Sequence, residues 1–215
     1  MTNNNTFLII QYDNRPLDTN TNCLIDINKK YCQLYKYDYI FSSDEYNLPP
    51  YWIKVKLIQE YLLSNKYKGI MWLDTDACIY DNIKIEDIMI ENKSFFLAPD
   101  NEIWDSPFCA GVFIVLNNFI GNSIINEWMT LYDKNNWTNV NNKWHTNCDW
   151  AGDDYEQGSF VKNIMSNYKN VIHSFDWYFF NATYSNISEY NKKIFTLHFA
   201  GDFKNEIPDY LKKRI

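Results

Sequence analysis

Two aspartates stand two residues apart directly after a short apolar run. They are Asp74 and Asp76, and the run is 70–73. In an open α/β sheet, ligands bind beyond the carboxyl ends of the strands, where an extended Asp-x-Asp segment can offer carboxylates to Mg²⁺ or Mn²⁺. Such a cation can bridge to a diphosphate and neutralise the charge that develops as the diphosphate departs. The alternative is a strand-end turn in which both side chains cap backbone N–H groups.

The elements that must position these aspartates alternate between strands and helices. Apolar runs predict strands at 7–11, 37–42, 70–73, 94–98, 111–116, 171–173 and 194–198. Apolar residues at helical spacing predict helices at 21–34, 49–64, 118–132 and 156–167. This alternation predicts the α/β class. At 215 residues the chain is expected to form a single domain, 1–215.

Composition narrows the function further. With 46% hydrophobic and 18% aromatic residues, the chain can build a real core. A formal net charge of −7 disfavours nucleic acid, and an acidic chain that binds an anionic phosphate needs a metal ion between the two. No apolar run approaches the roughly 18–20 residues that cross a bilayer. Five cysteines without a CxxC pair indicate a reducing cytosol, so we expect a cytoplasmic protein without a membrane span.

The segment 135–154 is polar, rich in tryptophan and irregular in pattern. A long loop without secondary structure in a compact domain is more often functional than filler, so this segment is expected to border the site. Its tryptophans, Trp137, Trp144 and Trp150, are candidates for a wall on which sugar rings stack, and core packing is the alternative for each of them.

Five motifs carry a resemblance to a known family. In chain order they are Y-W-x-K at 51–54, W-L-D-T-D-A at 72–77, C-A-G-V-F-I at 109–114, E-Q at 156–157 and H-F-A-G-D at 198–202. Together they resemble nucleotide-sugar glycosyltransferases of the GT-A fold. The similarity is to the galactosyl-, mannosyl- and xylosyltransferase group and to small, chlorovirus-type transferase domains of algal viruses. Two departures from the Golgi members are an absent N-terminal membrane anchor and a short segment after the last motif.

The resemblance implies a single GT-A domain with a mixed, mostly parallel sheet flanked by helices. It also implies transfer of a sugar from a nucleoside-diphosphate donor, UDP in preference to GDP, to a glycan acceptor with retention of configuration. Such a protein would work in the cytoplasm, that of a virus-infected cell if the viral likeness holds. His198 would be a third metal ligand beside the two aspartates, and its imidazole suits Mn²⁺ better than Mg²⁺. The alternative for His198 is an ordinary buried histidine.

The resemblance also assigns a donor site. Its candidate residues are Tyr12, Asp13, Arg15, Lys54, Asp74, Thr75, Asp76, Gly111 and Gly201. Asp13 and Arg15 follow the first strand, where base and ribose lie in such folds, and Lys54 is a candidate diphosphate contact. A solvated turn for Arg15 and a surface helix for Lys54 are the alternatives. Gly111 would let the sugar pass close to the backbone, although packing alone also explains a glycine there.

Four polar residues lie just before and at the start of the helix predicted at 156–167. They are Asp153, Asp154, Glu156 and Gln157, and the resemblance places them near the anomeric carbon as base, acceptor-hydroxyl partner or stabiliser of oxocarbenium-like charge. The alternative is that negative side chains simply favour a helix N-terminus. On the acceptor side the candidates are Trp104 and Asp105. The histidines at 145 and 173 match no motif and are expected to be structural.

Two other functions compete. A haloacid-dehalogenase-like, Mg²⁺-dependent phosphatase also places Asp-x-Asp after a central strand and a later acidic pair, here Asp153-Asp154. In this chain Cys78 stands where that family has Thr or Val, and the Gly-Thr that should follow is missing. The second competitor is a glycan-binding domain without catalysis, which would need neither metal nor nucleotide.

Overall fold

A computed structural model describes residues 6–141, 143–185, 187 and 192–214. The strands are β1 (Phe7–Tyr12), β2 (Asp38–Ser42), β3 (Gly69–Leu73), β4 (Ala77–Ile79), β5 (Phe95–Leu97), β6 (Val112–Leu116), β7 (Thr138–Val140), β8 (Lys143–His145), β9 (Ile172–Ser174) and β10 (Thr196–His198). The α-helices are α1 (Thr19–Tyr35), α2 (Pro50–Leu63), α3 (Phe119–Thr130), α4 (Glu156–Asn163), α5 (Trp177–Phe180) and α6 (Ile207–Arg214). Short 3-10 helices span Ile85–Ile88, Lys134–Asn136 and Gly201–Glu206.

The central sheet has six strands in the order β2-β1-β3-β6-β5-β9. Its pairs β1/β2, β1/β3 and β5/β9 are parallel, whereas β3/β6 and β5/β6 are antiparallel. Two small antiparallel ribbons, β4/β10 and β7/β8, stand beside it. The predicted α/β class with a mixed, mostly parallel sheet is therefore confirmed.

Both faces of this sheet are covered, which explains the continuous apolar runs of its central strands. Along β3, Ile70 and Trp72 join the core cluster that includes helix α2, while Met71 and Leu73 join the cluster on the opposite face. All five residues of β3 are buried. A strand enclosed in this way holds the residue that follows it, Asp74, at a fixed position on the edge of the sheet.

Helices α1 and α2 begin with different local signals. Asp18 precedes α1 and its carboxylate accepts a hydrogen bond from the backbone N–H of Thr21, whereas α2 opens on Pro50, a residue tolerated in a first turn. The C-cap of α1, Lys36, adopts a left-handed conformation with φ of 59°. Buried residues of α2 such as Ile53 and Leu57 share a core cluster with Ile70 and Trp72 of β3, and this packing brings Lys54 to the sheet.

The predicted elements agree with the observed ones, with most boundaries within two residues. Helix α4 is four residues shorter than predicted because its last turns become irregular after Asn163. The prediction of an irregular 135–154 segment is wrong in part, since this segment contains the β7/β8 hairpin. The residues of β7 are all exposed and carry no apolar periodicity, so only the pairing itself makes them a strand. Strand β4 and helices α5 and α6 were also missed because they are short.

Candidate active site

The Asp74–Asp76 motif forms the turn that joins the central sheet to the β4/β10 ribbon. The Asp74 N–H donates to the carbonyl of Gly111 at 2.8 Å, which continues the β3/β6 ladder by one residue. The Ala77 N–H then donates to the Asp74 carbonyl at 2.9 Å, and the Phe199 N–H donates to the Asp76 carbonyl at 2.8 Å. One aspartate is therefore held by each of the two sheets.

A cleft of about 840 Å³ opens over this turn. The predicted site residues that line it are Tyr12, Asp13, Arg15, Lys54, Asp74, Thr75, Asp76, Trp104, Gly111, Glu156, Gln157, His198 and Gly201. The predicted residues that do not line it are Asp105, Asp153 and Asp154. Residues from six separate segments thus converge on one cavity, although they are spread over nearly the whole chain.

Asp74, Asp76 and His198 form a cluster that can hold a metal ion. Their ligand atoms all lie within 4.8 Å of one another, and the His198 Nε2 lies 3.3 Å from Asp76 Oδ1. Ligands of a six-coordinate ion at about 2.1 Å lie about 3 Å apart when adjacent and about 4.2 Å apart when opposite, so the His198–Asp76 pair has the spacing of two ligands and a small closure of the cluster would hold one divalent cation. Two carboxylates and one imidazole nitrogen suit Mn²⁺, and Mg²⁺ less well because of the nitrogen.

Asp76 faces two cationic partners. Its Oδ1 faces His198, and its Oδ2 lies 3.0 Å from the ammonium nitrogen of Lys204, a residue that belongs to none of the predicted site motifs. Burial opposes ionisation of Asp76, but the hydrogen bond and charge of His198 and the charge of Lys204 outweigh burial and hold the pKa of Asp76 well below its usual range. Asp76 is therefore a carboxylate that can bind a cation.

Asp74 belongs to a buried charge cluster with Lys54 and Glu156. The Lys54 ammonium lies 3.1 Å from Asp74 Oδ1 and 3.0 Å from Glu156 Oε1, and it donates to the carbonyl of Ala110 at 3.0 Å. The Trp72 indole N–H donates to Asp74 Oδ1 at 2.7 Å. Lys54 is buried, so the surface-helix alternative does not apply, and its three N–H groups are all directed at protein oxygens.

The charges of this cluster oppose the effect of burial. Burial lowers the pKa of Lys54, but Asp74 and Glu156 outweigh it and raise that pKa above its usual value. Burial raises the pKa of Glu156, and Lys54 offsets only part of the rise. Lys54 thus holds two carboxylates beside the cleft that would otherwise repel each other.

Gln157 presents a fully bonded amide to the cleft. Its Oε1 accepts the N–H of Ala110 at 2.9 Å, and its Nε2 donates to Asp100 Oδ2 at 3.1 Å. The N–H of Ala110 and the Asp100 carboxylate come from the other side of the site, so the side chain of Gln157 has little freedom. Glu156 and Gln157 are therefore fixed groups of the cleft, as the first two residues of α4.

The two aspartates before α4 point elsewhere. The carboxylate of Asp153 pairs with Lys162 at the surface, and Asp154 accepts hydrogen bonds from Asn136 at 2.8 Å and from the Thr146 hydroxyl. Asp154 therefore braces the 135–154 segment instead of facing the cleft. The predicted cluster of three carboxylates is reduced to Glu156, because the turn that opens α4 directs consecutive side chains to different sides.

The turn after β1 holds a second buried carboxylate. Asp13 accepts hydrogen bonds from the Arg15 backbone N–H at 3.0 Å, from Arg15 Nε at 2.8 Å and from the Thr75 hydroxyl at 3.1 Å. Burial raises the pKa of Asp13, but the hydrogen bonds from Arg15 outweigh it and lower the pKa below its ordinary value. Arg15 is thereby held at the mouth of the cleft with its side chain 73% exposed.

Tryptophans stand on the other side of the cleft. Trp150 is 72% exposed, and its ring lies 5.3 Å from that of Tyr51 and 5.1 Å from that of Tyr155, centroid to centroid. Trp104 is 42% exposed. The predicted wall of three tryptophans is wrong for Trp137 and Trp144, which do not line the cleft.

Trp137 is buried and Trp144 packs against the core, so of the three predicted tryptophans Trp150 alone lines the cleft. Asp105 adopts a left-handed φ of 42° beside Trp104 without lining the cleft. His145 is exposed in the β7/β8 hairpin, and His173 packs edge-on against Phe175 at 4.5 Å. Neither histidine lines the cleft.

No protein-family model and no curated protein matches this sequence. A glycosyltransferase involved in the glycosylation of the major capsid of PBCV-1 matches with a TM-score of 0.75 and 15% identity, over 97% of this chain and 99% of that one. A mutant of Drosophila β1,4-galactosyltransferase 7, in complex with manganese, UDP-Gal and xylobiose, matches with a TM-score of 0.51 and 10% identity, over 94% and 74%. The glycosyltransferase GlyE of Streptococcus pneumoniae matches with a TM-score of 0.50 and 13% identity, over 98% and 64%.

Likeness at such low identity defines the fold, and the fold is the GT-A fold of glycosyltransferases. The similarity to the PBCV-1 structure extends over nearly all of both chains, which confirms the predicted resemblance to chlorovirus-type glycosyltransferase domains. In the described part of the chain, no helix combines the length and the apolar character that a membrane crossing requires.

Proposed function

We propose that this chain is a metal-dependent glycosyltransferase that transfers a sugar from a nucleoside-diphosphate donor to a glycan acceptor. Residues 1–215 would form one catalytic domain, active in the cytoplasm. The observation that carries the proposal is the cluster of Asp74, Asp76 and His198 at the base of a cleft large enough for a nucleotide sugar. The GT-A fold of the chain supports the same activity.

Asp74, Asp76 and His198 would hold Mn²⁺ or Mg²⁺. When bound, the ion supplies a Lewis acid that neutralises the diphosphate and makes it a better leaving group. Lys54 has a different role, because its N–H groups are directed at protein oxygens and not at the diphosphate. Lys54 would therefore act on the donor through Asp74, by fixing its carboxylate, and not by contacting the diphosphate directly.

The donor nucleotide would lie along the turn after β1. Tyr12, Asp13 and Thr75 line that side of the cleft, and the Asp13 carboxylate is fixed where it can accept hydrogen bonds from ribose hydroxyls. Arg15 and Lys204 are the exposed cations of the cleft, with side chains 73% and 52% exposed, and both can pair with phosphate oxygens. UDP is the preferred base by resemblance, and the neighbour's complex with UDP-Gal supports that choice.

The anomeric carbon would be attacked near Glu156 and Gln157. The Gln157 amide is neutral and fixed, so it can stabilise a bound sugar without competing as a nucleophile. Gly201 leaves room for the donor sugar, since an added Cβ would come no closer than 3.5 Å to the Trp104 ring, whereas the space in front of Gly111 is taken by the His198 imidazole. Retention of configuration is proposed on the resemblance, with the carboxylate of Glu156 as the nearest buried group that could offset oxocarbenium-like charge.

The acceptor would be a glycan held by exposed aromatic rings. Trp104 and Trp150 both line the cleft and leave ring surface open to solvent, which suits the apolar C–H faces of a pyranose. Xylobiose in the Drosophila neighbour's complex supports a carbohydrate acceptor for the same fold.

The experiment is a transfer assay with a panel of UDP- and GDP-sugars, each with Mn²⁺, Mg²⁺ or EDTA, with and without a mixture of oligosaccharides. The proposal predicts release of one nucleoside diphosphate with one sugar, dependent on metal and stimulated by an acceptor, with a product one sugar heavier by mass spectrometry. Hydrolysis of p-nitrophenyl phosphate without sugar transfer would favour the phosphatase. Glycan binding that needs neither metal nor nucleotide, with no turnover, would favour a binding domain.

A further inference from the structure

The imidazole of His198 makes contacts through both of its ring nitrogens. Its Nε2 faces Asp76, whereas its Nδ1 lies 2.8 Å from the Oδ1 of Asn181 and 3.4 Å from the Sγ of Cys109. Asn181 is 3% exposed, so this second contact is shielded from water. No motif predicted a role for Asn181, which follows the four-residue helix α5.

The orientation of the Asn181 amide is fixed by a third group. Its Nδ2 donates to the backbone carbonyl of Pro99 at 3.2 Å, so the amide oxygen must be the atom that faces His198. An amide oxygen can only accept a hydrogen bond, and therefore the Nδ1 of His198 carries a proton. Nε2 is then the ring nitrogen that offers its lone pair to a cation when it carries no proton.

The backbone holds Asn181 and His198 in a fixed relation. The Asn181 N–H donates to the carbonyl of Trp177 at 2.7 Å, and the His198 N–H donates to the carbonyl of Ala182 at 2.9 Å. Ala182 also forms a bridge with Leu197, the neighbour of His198 on β10. The ring and its amide partner therefore belong to one rigid unit built from two short segments.

We propose that Asn181 is a positioning residue that keeps the His198 proton on Nδ1 and directs Nε2 toward Asp74 and Asp76, and thereby sets the affinity of this site for a divalent cation. The inference rests on the proposed metal-dependent function. A ligating histidine whose other nitrogen donates to a protein oxygen is fixed in tautomer and orientation, and loss of such a partner weakens metal binding about 10- to 100-fold.

Cys109 offers a control at the same nitrogen. Its sulfur lies 0.6 Å farther from Nδ1 than the amide oxygen does, and a thiol is a weak hydrogen-bonding group. If Asn181 sets the tautomer, Cys109→Ala should change Mn²⁺ affinity by less than about threefold. A second control is Asn117→Leu, which removes a partly buried amide bonded to the carbonyls of Leu62 and Tyr67 at the opposite edge of the sheet.

The test is titration of the nucleotide-free protein with Mn²⁺, with free Mn²⁺ measured by electron paramagnetic resonance. Asn181→Leu should bind Mn²⁺ about 10- to 100-fold more weakly than wild type. Asn181→Asp keeps an oxygen for the Nδ1 proton while losing the donor to Pro99, so it should stay within about threefold of wild type. Thermal unfolding of every variant reports any loss of fold separately.

Equal weakening by Asn181→Leu and Asn181→Asp would overturn the inference, since a packing role alone does not distinguish them. An unchanged affinity in Asn181→Leu would also overturn it while leaving the proposed metal site intact. Wild-type protein that binds no Mn²⁺ would overturn the metal site and the inference together. If Asn181→Leu does not fold, ¹⁵N-histidine spectra of the Zn²⁺-loaded wild type decide: a proton on Nδ1 alone supports the inference, and a proton on Nε2 overturns it.

Discussion

The two sides of the cleft are built in different ways. The strand wall consists of Tyr12, Asp13, Arg15, Asp74 and Thr75, which lie at or just after the ends of β1 and β3 of the central sheet. The loop wall consists of Asp100, Trp104, Ser106, Trp150 and Ala151, which lie in irregular segments. In the strand wall the carboxylates are bonded to Arg15, Thr75, Trp72 and Lys54; the loop wall instead exposes tryptophan rings.

Under the proposed function, the strand wall would bind the nucleotide and its cation, and the loop wall would bind the acceptor. A nucleoside diphosphate and its cation need charged groups at fixed positions, and ends of buried strands supply such positions. A glycan acceptor can be held by ring surfaces, which tolerate small shifts, and loops can carry these without disturbing the core. Substitutions in the strand wall should therefore affect stability and metal binding, whereas those in the loop wall should affect acceptor use.

The largest effect is expected at Lys54, which links the strand wall to Glu156. Lys54→Met leaves a buried carboxylate without its partner, and removal of one member of a buried ion pair costs about 3–5 kcal/mol. Urea unfolding should show this loss. Lys56→Met on the same helix breaks only an exposed pair with Glu60 and should change the free energy of unfolding by less than about 0.5 kcal/mol. Similar free energies of unfolding for the two variants would contradict a stabilising role of Lys54 in the buried charge cluster.

The pH dependence of Lys54→Met sharpens this prediction. Burial already raises the pKa of Glu156 in the folded protein, and loss of Lys54 removes a group that opposes the rise. A raised folded-state pKa means that the folded protein binds more protons, so the deficit of Lys54→Met relative to wild type should grow as pH rises above about 4.3, the unfolded value. A deficit that is largest at acid pH would contradict it.

The next largest effect is expected at Gly111, where the strand wall meets His198. A Cβ added to Gly111 would lie 2.2 Å from Cε1 of the His198 ring, which must then move. We expect Gly111→Ala to weaken Mn²⁺ binding about tenfold or more, in the range seen when a ligand loses its orientation. Calorimetric titration with Mn²⁺ tests this. Unchanged affinity would mean that the imidazole is not a ligand.

A smaller effect is expected at Trp150 in the loop wall. Trp150→Ala should raise the KM for the glycan acceptor about five- to tenfold, since an aromatic contact is worth about 1 kcal/mol, while the KM for the donor stays unchanged. Trp150→Phe should recover most of the loss. Phe119→Ala, which removes an aromatic ring 87% exposed outside the cleft, is the matched control. An equal change in the KM for the donor would contradict the assignment of the loop wall to acceptor binding.

The smallest effect is expected at Asp153. Its carboxylate pairs with Lys162 at the surface and does not line the cleft, so Asp153→Asn should change kcat by less than about twofold. Glu156→Gln, three residues later, should lower kcat strongly because it alters the buried cluster with Lys54 and Asp74. Steady-state kinetics of the two variants separate these roles. A strong loss in Asp153→Asn would restore the predicted pair of catalytic aspartates.

The strand wall was largely predictable from the sequence, and the loop wall was not. Continuous apolar runs identify β1 and β3, and their ends place Asp13 and Asp74 at one edge of the sheet. Trp104 and Trp150 lie in segments whose course depends on turns such as the left-handed Ala151, with φ of 57°, for which single residues give no reliable signal.

Side-chain direction was the other limit. The sequence analysis grouped Asp153, Asp154 and Glu156 in one site. In the structure the chain turns before Glu156, so the side chains of Asp153 and Asp154 point away from the cleft. Asn181 reaches His198 because Ala182 bridges Leu197 of β10, and Lys204 reaches Asp76 from the 3-10 helix that follows β10. Contacts of this kind arise from tertiary packing, and local sequence patterns do not predict them.

The most direct test of the central claim is calorimetric titration of UDP and GDP into the protein with and without Mn²⁺, for wild type, Asp74→Asn, Asp76→Asn and the exposed control Asp87→Asn. We expect wild type and Asp87→Asn to bind one nucleotide, UDP in preference, only with Mn²⁺, and the other two variants to bind it about 100-fold more weakly or not at all. Metal-independent binding, or binding unchanged in Asp74→Asn and Asp76→Asn, would contradict the claim that these carboxylates hold the cation under the diphosphate.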